Sequence, residues 1–181
     1  KVFVVPYEKI GDQAQGGIFE LPVPRFSTGV MRGRFNPGDG QLYLCGLSAW
    51  GSTQPQLGGL YRIRKVDQPL TIPVGIKATT KGIELNFTDA LDAKSVADVA
   101  HYTIKTWDLL RSRKYGSKHY NEQTLAVTNA TLGKDKKSIK LTIPNIKPTW
   151  VMEIQYQLKD ERGKSLEGLV QNTVHQLGKI E

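Results

Sequence analysis

Apolar and polar side chains alternate along short stretches in the second part of this chain. Ile83, Leu85 and Phe87 are separated by polar residues, and the same pattern returns at 139–143 and 152–156. A period of two places successive side chains on opposite faces of a strand, whereas an α-helix repeats at about 3.6 residues. The alternation therefore predicts β-strands that bury one face.

Seven strands are predicted between residues 69 and 181, with turn signals between most of them. Seven short strands in about 110 residues form the pattern of an immunoglobulin-like or fibronectin-III-like β-sandwich. One helical turn is expected near Asp92, whose carboxylate can cap it while Val96 packs inward. The predicted strands are 72–79, 82–88, 101–107, 124–132, 137–143, 150–158 and 170–177.

A hairpin is predicted at 27–47, where two strands flank the turn sequence Asn-Pro-Gly-Asp-Gly. Proline restricts φ to about −65°, and glycine adopts positive φ without a steric penalty. On the first strand we expect Val30, Arg32 and Arg34 to share one face. On the second strand we expect Cys45 to be a small buried thiol.

The first part of the chain is predicted to be a small antiparallel, blade-like sheet. Asp67-Gln68-Pro69 separates it from the strands that follow, which gives two domains, 1–68 and 69–181, in an all-β fold. Besides the hairpin, the short strands of the first domain are expected at 2–5, 17–21 and 59–66.

The net charge is +8, with +3 over residues 1–68 and +5 over 69–181. An excess spread in this way is typical of a solvated surface, because it focuses little electric field. Nucleic-acid binding would require a basic stripe interleaved with stacking aromatic residues. No apolar run approaches the length of a membrane-spanning helix, which needs about 20 residues. We therefore expect neither nucleic acid nor a membrane as a partner.

Residues for catalysis or metal binding form no recognisable pattern. The single cysteine excludes a disulfide framework and a cysteine-based zinc site. His101, His119 and His175 have no metal-ligating partner at i+2 or i+4, and the motifs of serine nucleophiles and phosphate loops are absent. We predict no catalytic residue, no metal and no cofactor, which argues against an enzymatic role for this chain alone.

One segment combines aromatic rings with positive charges. WDLLRSRKYGSKHY, at 107–120, lies between the third and fourth predicted strands of the second domain. A connection of this length without secondary structure often binds a ligand, and aromatic faces beside cations could stack on sugar rings. The alternative is a structural connection, at 108–123, whose aromatic residues cover an edge of the sheets. The candidate ligand-binding residues are Trp107, Arg113, Tyr115, Lys118, His119 and Tyr120.

The other two tryptophans are assigned differently. Trp50 lies in a loop rich in Gly, Ser, Gln and Pro, and is either a second exposed aromatic candidate or a plug between the two domains. Trp150 begins a predicted strand, and we expect it in the core or at the end of the sandwich.

Several segments resemble a known family. GVMRGRFNPGDGQLYLCGL at 29–47, followed by GGLYRIR at 58–64, resembles the closing blade of β-propellers related to glucose and sorbosone dehydrogenases. VGIKATTKGIELNFTDALDAKSVADVAHYTIKTWD at 74–108, YGSKHY at 115–120 and NTVHQLG at 172–178 resemble the Ig-like module that follows the propeller. Such proteins are large secreted bacterial proteins, often fused to c-type haem domains.

The resemblance implies that the chain is the C-terminal part of a larger exported propeller protein, secreted or periplasmic. A propeller needs several four-stranded blades, and residues 1–68 supply about one. The family's catalytic and quinone-binding residues would therefore lie on other blades, and no Cys-x-x-Cys-His haem motif is present.

The expected function is non-catalytic recognition of extracellular carbohydrate. The expected partners are that carbohydrate or the other domains of the parent protein. Two alternatives stay open. One is a purely structural module that seals the propeller and mediates protein–protein contacts, and the other is a fragment of a sugar-dehydrogenase-type enzyme.

Overall fold

The computed structural model describes residues 1–48 and 55–179, so Trp50 lies outside the described residues. Strands account for 53% of the chain and helices for 5%, in several antiparallel sheets, which confirms the all-β prediction. The helical elements are α1 (Ala93–Ala97) and a 3₁₀ turn at Val99–His101. The strands are β1 (Phe3–Val4), β2 (Tyr7–Ile10), β3 (Gln13–Glu20), β4 (Gly29–Phe35), β5 (Leu42–Leu47), β6 (Gly58–Ile63), β7 (Pro73–Thr79), β8 (Gly82–Phe87), β9 (Tyr102–Asp108), β10 (Tyr120–Leu125), β11 (Asn129–Leu132), β12 (Ser138–Thr142), β13 (Thr149–Lys159) and β14 (Ser165–Val174).

The chain divides into two compact units. Unit 1 consists of residues 1–3 and 20–69, and unit 2 consists of residues 4–19 and 70–181. The sequence-based division after residue 68 differs from this for the N-terminal strands, because β3 pairs with β14 of unit 2. This pairing gives the backbone amide and carbonyl groups of β3 the partners that an isolated strand would lack.

Unit 2 is built on two antiparallel sheets. The seven-stranded sheet has the order β1-β3-β14-β13-β9-β10, with β2 also paired to β3, and the four-stranded sheet has the order β11-β12-β8-β7. The rings of Phe87 on β8 and Tyr156 on β13 meet edge-on, with centroids 5.6 Å apart. The predicted alternation holds in both sheets, and the buried apolar side chains include Ile83, Leu85, Ile104, Ile139, Leu141, Met152, Ile154 and Val170.

The predicted strand 124–132 is two strands in the structure. β10 pairs with β9 at the edge of the seven-stranded sheet, whereas β11 pairs with β12 in the four-stranded sheet. Residues 70–179 therefore hold eight strands rather than the predicted seven. The periodicity of the sequence did not reveal that the chain passes from one sheet to the other here, because the segments before and after this point are both extended.

Helix α1 forms where the sequence predicts a helical turn. The Oδ1 of Asp92 accepts a hydrogen bond from the backbone N–H of Ser95 at 2.7 Å and so caps the first turn. Val96 is fully buried, as expected.

A buried carboxylate organises the turn between β13 and β14. Asp160 is only 1% exposed. Its Oδ1 accepts hydrogen bonds from the backbone N–H groups of Arg162 and Lys164 at 2.9 Å, and its Oδ2 accepts from the guanidinium of Arg162 at 2.6 and 3.0 Å. Burial acts to raise the pKa of Asp160, but these hydrogen bonds outweigh it and hold the pKa below its ordinary value. The carboxylate is therefore charged at neutral pH.

Unit 1 is a three-stranded antiparallel sheet with the order β4-β5-β6. The predicted hairpin forms between β4 and β5, and Gly40 has a φ of +66° in its turn. A bulge between Val30 and Arg32 breaks the alternation, so that Val30 lies opposite Gly46, on the same face as Leu44. The expectation that Val30 shares a face with the arginines is therefore wrong.

Cys45 of β5 is exposed, so the expectation of a buried thiol is also wrong. It lies in one cross-strand row with Arg32 and Leu60, and the Leu60 side chain is exposed as well. The opposite face carries Leu44, the buried apolar side chain of this sheet. The face that carries Arg32, Cys45 and Leu60 is therefore open to solvent.

We expect Asp160→Asn to lower the free energy of unfolding by about 2 kcal/mol at about pH 7, because the ionic hydrogen bonds to Arg162 are lost. The pKa of Asp160 in the folded protein lies below its unfolded value of about 3.9. The stabilisation is therefore fully present at neutral pH and disappears as the pH falls below about 4. Urea denaturation of both proteins between about pH 7 and pH 3 measures this difference.

Glu161→Gln is the matched control for this prediction, since Glu161 is an exposed neighbouring acid. Its effect should stay within about 0.5 kcal/mol. A stability difference between wild type and Asp160→Asn that persists unchanged at low pH would contradict the assignment.

Candidate functional site

Residues 109–119 connect β9 to β10 at the edge of the seven-stranded sheet, and we name them loop 109–119. Asp108 and Tyr120 pair at the base of the loop, where the Nδ2 of Asn121 donates to the Oδ2 of Asp108 at 2.9 Å. Asn121 has a φ of +52°, which asparagine adopts more readily than most residues. The predicted excursion is therefore a hairpin loop with a closed base.

Trp107 lies at the base of the loop, on the outer face of the sheet. It pairs with Val151, whereas the adjacent pair, Thr106 and the fully buried Met152, belongs to the inner face. The imidazole of His119 stacks on the indole, with centroids 4.0 Å apart and 12° between the ring planes. Trp107 is consequently 6% exposed. Its role as a ligand contact stays a prediction, and in this structure His119 covers the ring.

A carboxylate holds His119 in this position. The Nδ1 of His119 lies 2.7 Å from the Oε2 of Glu122, and because an ionised carboxylate only accepts, the imidazole nitrogen donates. Lys105 of β9 donates to the other oxygen, Oε1, at 3.2 Å. The hydrogen bond from His119, followed by that from Lys105, lowers the pKa of Glu122 below its ordinary value. These side chains tie the end of the loop to β9.

The tip of loop 109–119 presents an open ring among cations. Tyr115 is fully exposed, and the neighbouring Gly116 has a φ of +80°. The Oγ of Ser117 accepts from the backbone N–H of Leu110 at 2.9 Å and so links the two sides of the loop. The loop contains no acidic residue. Its four cations, all exposed and without an ion-pair partner among residues 1–48 and 55–179, are Arg111, Arg113, Lys114 and Lys118.

The structure therefore separates the six predicted site residues into two groups. Trp107 and His119 form the base of the loop, with the indole covered. The side chains that face solvent are Arg113, Tyr115, Lys118 and Tyr120, and the His119 side chain is also 51% exposed while it covers the indole.

The other two histidines lie elsewhere in unit 2. The Nδ1 of His101 is 2.7 Å from the carbonyl oxygen of Ser95, and His175 follows β14. Among the described residues, no group of three or more His, Cys, Asp or Glu side chains could hold a metal ion. None of the described helices has the length and apolar character needed to cross a membrane.

In unit 2, sequence reasoning missed the exposure of two aromatic side chains, Tyr7 of β2 and Trp150 of β13. Trp150 is in phase with the buried Met152 and Ile154, but the register of β13 against β14 shifts between Thr149 and Met152. This irregularity frees Trp150 from the inner face, and the side chain is 57% exposed rather than in the core. The bulge has no signature in the local sequence.

Comparisons of the chain with protein-family models, with curated proteins and with solved structures found no match. The resemblance to propeller blades and Ig-like modules therefore stays a prediction, and the functional argument depends on the geometry above.

We expect His119→Ala to expose the indole of Trp107 and to lower the free energy of unfolding by about 1 kcal/mol, because the stacked pair is lost. The indole N–H resonance of Trp107 in a ¹H–¹⁵N spectrum should shift, while that of Trp150 should not. His175→Ala is the control, since His175 meets Trp150 edge-on at 6.1 Å and should move the Trp150 resonance instead. An unchanged Trp107 resonance in His119→Ala would argue against the stack.

Proposed function

We propose that this chain is a non-catalytic module of a larger exported propeller protein, and that loop 109–119 recognises extracellular carbohydrate. The observation that carries the proposal is the fully exposed ring of Tyr115 at the tip of a loop with a tied base. The C–H face of a sugar ring packs on an aromatic surface, and sugar oxygens accept hydrogen bonds from cationic side chains. Arg113 and Lys118 supply such donors beside Tyr115.

The base of the loop supports this function by limiting motion. The Trp107–His119 stack and the carboxylate of Glu122 hold the C-terminal end of the loop against β9. A loop held in this way loses less conformational entropy when a ligand binds. The contact residues of the proposal are accordingly Arg113, Tyr115, Lys118, His119 and Tyr120, with Trp107 as their support.

The charge of the tip favours glycans that carry acidic groups. Four cations without a neighbouring acid in the loop create a local positive potential, to which a carboxylate or sulfate group on a polysaccharide is complementary. Such binding weakens as salt is added, because the charges are exposed.

One observation favours a second candidate function, a structural module that contacts other domains of the parent. The sheet of unit 1 exposes the apolar side chains of Met31, Phe35 and Leu60, which a neighbouring blade would cover. The third possibility, a sugar-dehydrogenase fragment, would place its catalytic residues on blades outside this chain and draws no support from the described residues.

We expect Tyr115→Ala to weaken retention on alginate-coupled agarose about tenfold, because a stacking contact of about 1.4 kcal/mol is lost. Tyr115→Phe keeps the ring and should be retained like the wild type. The double variant Arg113→Ala/Lys118→Ala should also be retained less, and its retention should depend less on NaCl concentration.

Lys134→Ala/Lys164→Ala is the matched control, since it removes the same charge from exposed turns remote from the loop. Equal losses in the two double variants would show a general charge effect. Unchanged retention of Tyr115→Ala would show that the loop is structural.

A further inference from the structure

The outer face of the seven-stranded sheet carries a groove with a volume of about 500 Å³. It crosses β2, β3, β14 and β13, and none of its lining residues belongs to loop 109–119. The groove lies entirely within unit 2. The residues used in the argument that follows are Tyr7, Gly16, Ile18, Trp150, Gln171 and Thr173.

Cross-strand register explains why these side chains meet. Residues paired in an antiparallel sheet project from the same face. Tyr7 pairs with Gly16, and Gly16 pairs with Thr173, so the three form one row across β2, β3 and β14. Ile18 pairs with Gln171 in the next row on the same face.

Glycine at position 16 allows the backbone of β2 to approach β3 closely. A Cβ at Gly16 would meet the backbone of Pro6 and Tyr7, so a side chain does not fit there without a shift of the backbone. The space above Gly16 is therefore filled by Pro6 and Tyr7, and this close approach fixes Tyr7 at one side of the groove.

Two aromatic side chains flank the groove. Tyr7 is 67% exposed on β2, and Trp150 is 57% exposed on β13. Their strands are three steps apart in the sheet, which corresponds to about 14 Å at about 4.8 Å a step. Trp150 is held in place, because the hydroxyl of Thr173 donates to its backbone oxygen at 2.8 Å and His175 packs edge-on against its indole.

The chemistry of the lining differs from that of the loop. Among the described residues, no charged side chain lines the groove, although the chain as a whole is strongly basic. Its polar side chains on the outer face are Gln171, whose Nε2 donates to the Oε2 of Glu153 at 2.9 Å, and Thr173, whose hydroxyl donates to the backbone oxygen of Trp150. An uncharged ligand with apolar ring faces and many hydroxyl groups is complementary to such a lining.

The groove also adjoins the base of loop 109–119. Val151 lines the groove and pairs with Trp107, on which His119 stacks. The two candidate sites therefore lie on the same face of the sheet and share no described lining residue.

We infer that this outer-face groove is a second carbohydrate-binding site, which takes an uncharged polysaccharide chain laid across the strands with sugar rings on Trp150 and Tyr7. The inference deepens the proposed function and rests on it for the class of ligand. It involves different residues and a ligand without charge, so the two sites are tested separately.

Affinity gel electrophoresis in hydroxyethylcellulose, galactomannan and laminarin, three uncharged polymers, tests the inference. Trp150→Ala and Tyr7→Ala should each weaken retardation about tenfold, and the double variant about a hundredfold, since sites this far apart act additively. Trp150→Phe keeps a ring and should preserve most of the binding. Retardation should not change with NaCl, because no charge is involved.

Tyr115→Ala and Arg113→Ala/Lys118→Ala are the controls that separate the two sites. They should leave binding to the uncharged polymers unchanged, whatever they do on alginate. Both aromatic groove residues are exposed, so unchanged melting temperatures should show that their variants fold.

Three outcomes would overturn the inference. The first is wild-type retardation by the groove variants. The second is the absence of retardation of the wild type in all three polymers. The third is sedimentation of the wild type as a dimer that Trp150→Ala dissociates, which would assign the groove to a protein contact.

Discussion

The seven-stranded sheet buries one face and leaves the other to solvent, and both candidate sites depend on this one-sided burial. Ile104, Ile154 and Val170 are fully buried on neighbouring strands. Burying a side chain of this size contributes about 1.5 to 3 kcal/mol. A strand that slipped by one residue would exchange its two faces and lose this contribution. Burial of the inner face therefore fixes the strand register, and the register in turn fixes which side chains lie together on the outer face.

The outer face carries both candidate sites next to each other, and their side chains differ in charge. At the β9–β10 end, Trp107 and His119 support a loop whose tip is cationic. At the β2–β13 side, Tyr7 and Trp150 flank a groove whose described lining residues carry no charge. At the loop, the indole of Trp107 is covered by the stacked ring of His119 and supports the loop. In the groove, the rings of Tyr7 and Trp150 are exposed to solvent.

The sequence analysis identified the loop but not the arrangement within it. Its length and composition predict a candidate site, and Tyr115 is fully exposed at its tip, while its role in binding stays a prediction. The burial of Trp107 could not be predicted, because its cover, His119, returns to it only through the register of β9 with β10. Trp150 shows the opposite error, because it was expected in the core and is exposed. Its position in the alternation of β13 predicts the inner face, and the register shift in β13 moves it to the outer face.

By itself, the sequence determined the all-β class, the strands of the second part and the cap of α1, because period-two alternation and capping act between residues close in the chain. Only the tertiary structure decided that residues 4–19 join the second unit, that 124–132 divides between two sheets, and which tryptophan is open. These outcomes depend on strand partners far away in the sequence and on bulges that shift register by one residue. A residue's face is therefore a property of the sheet rather than of its own strand.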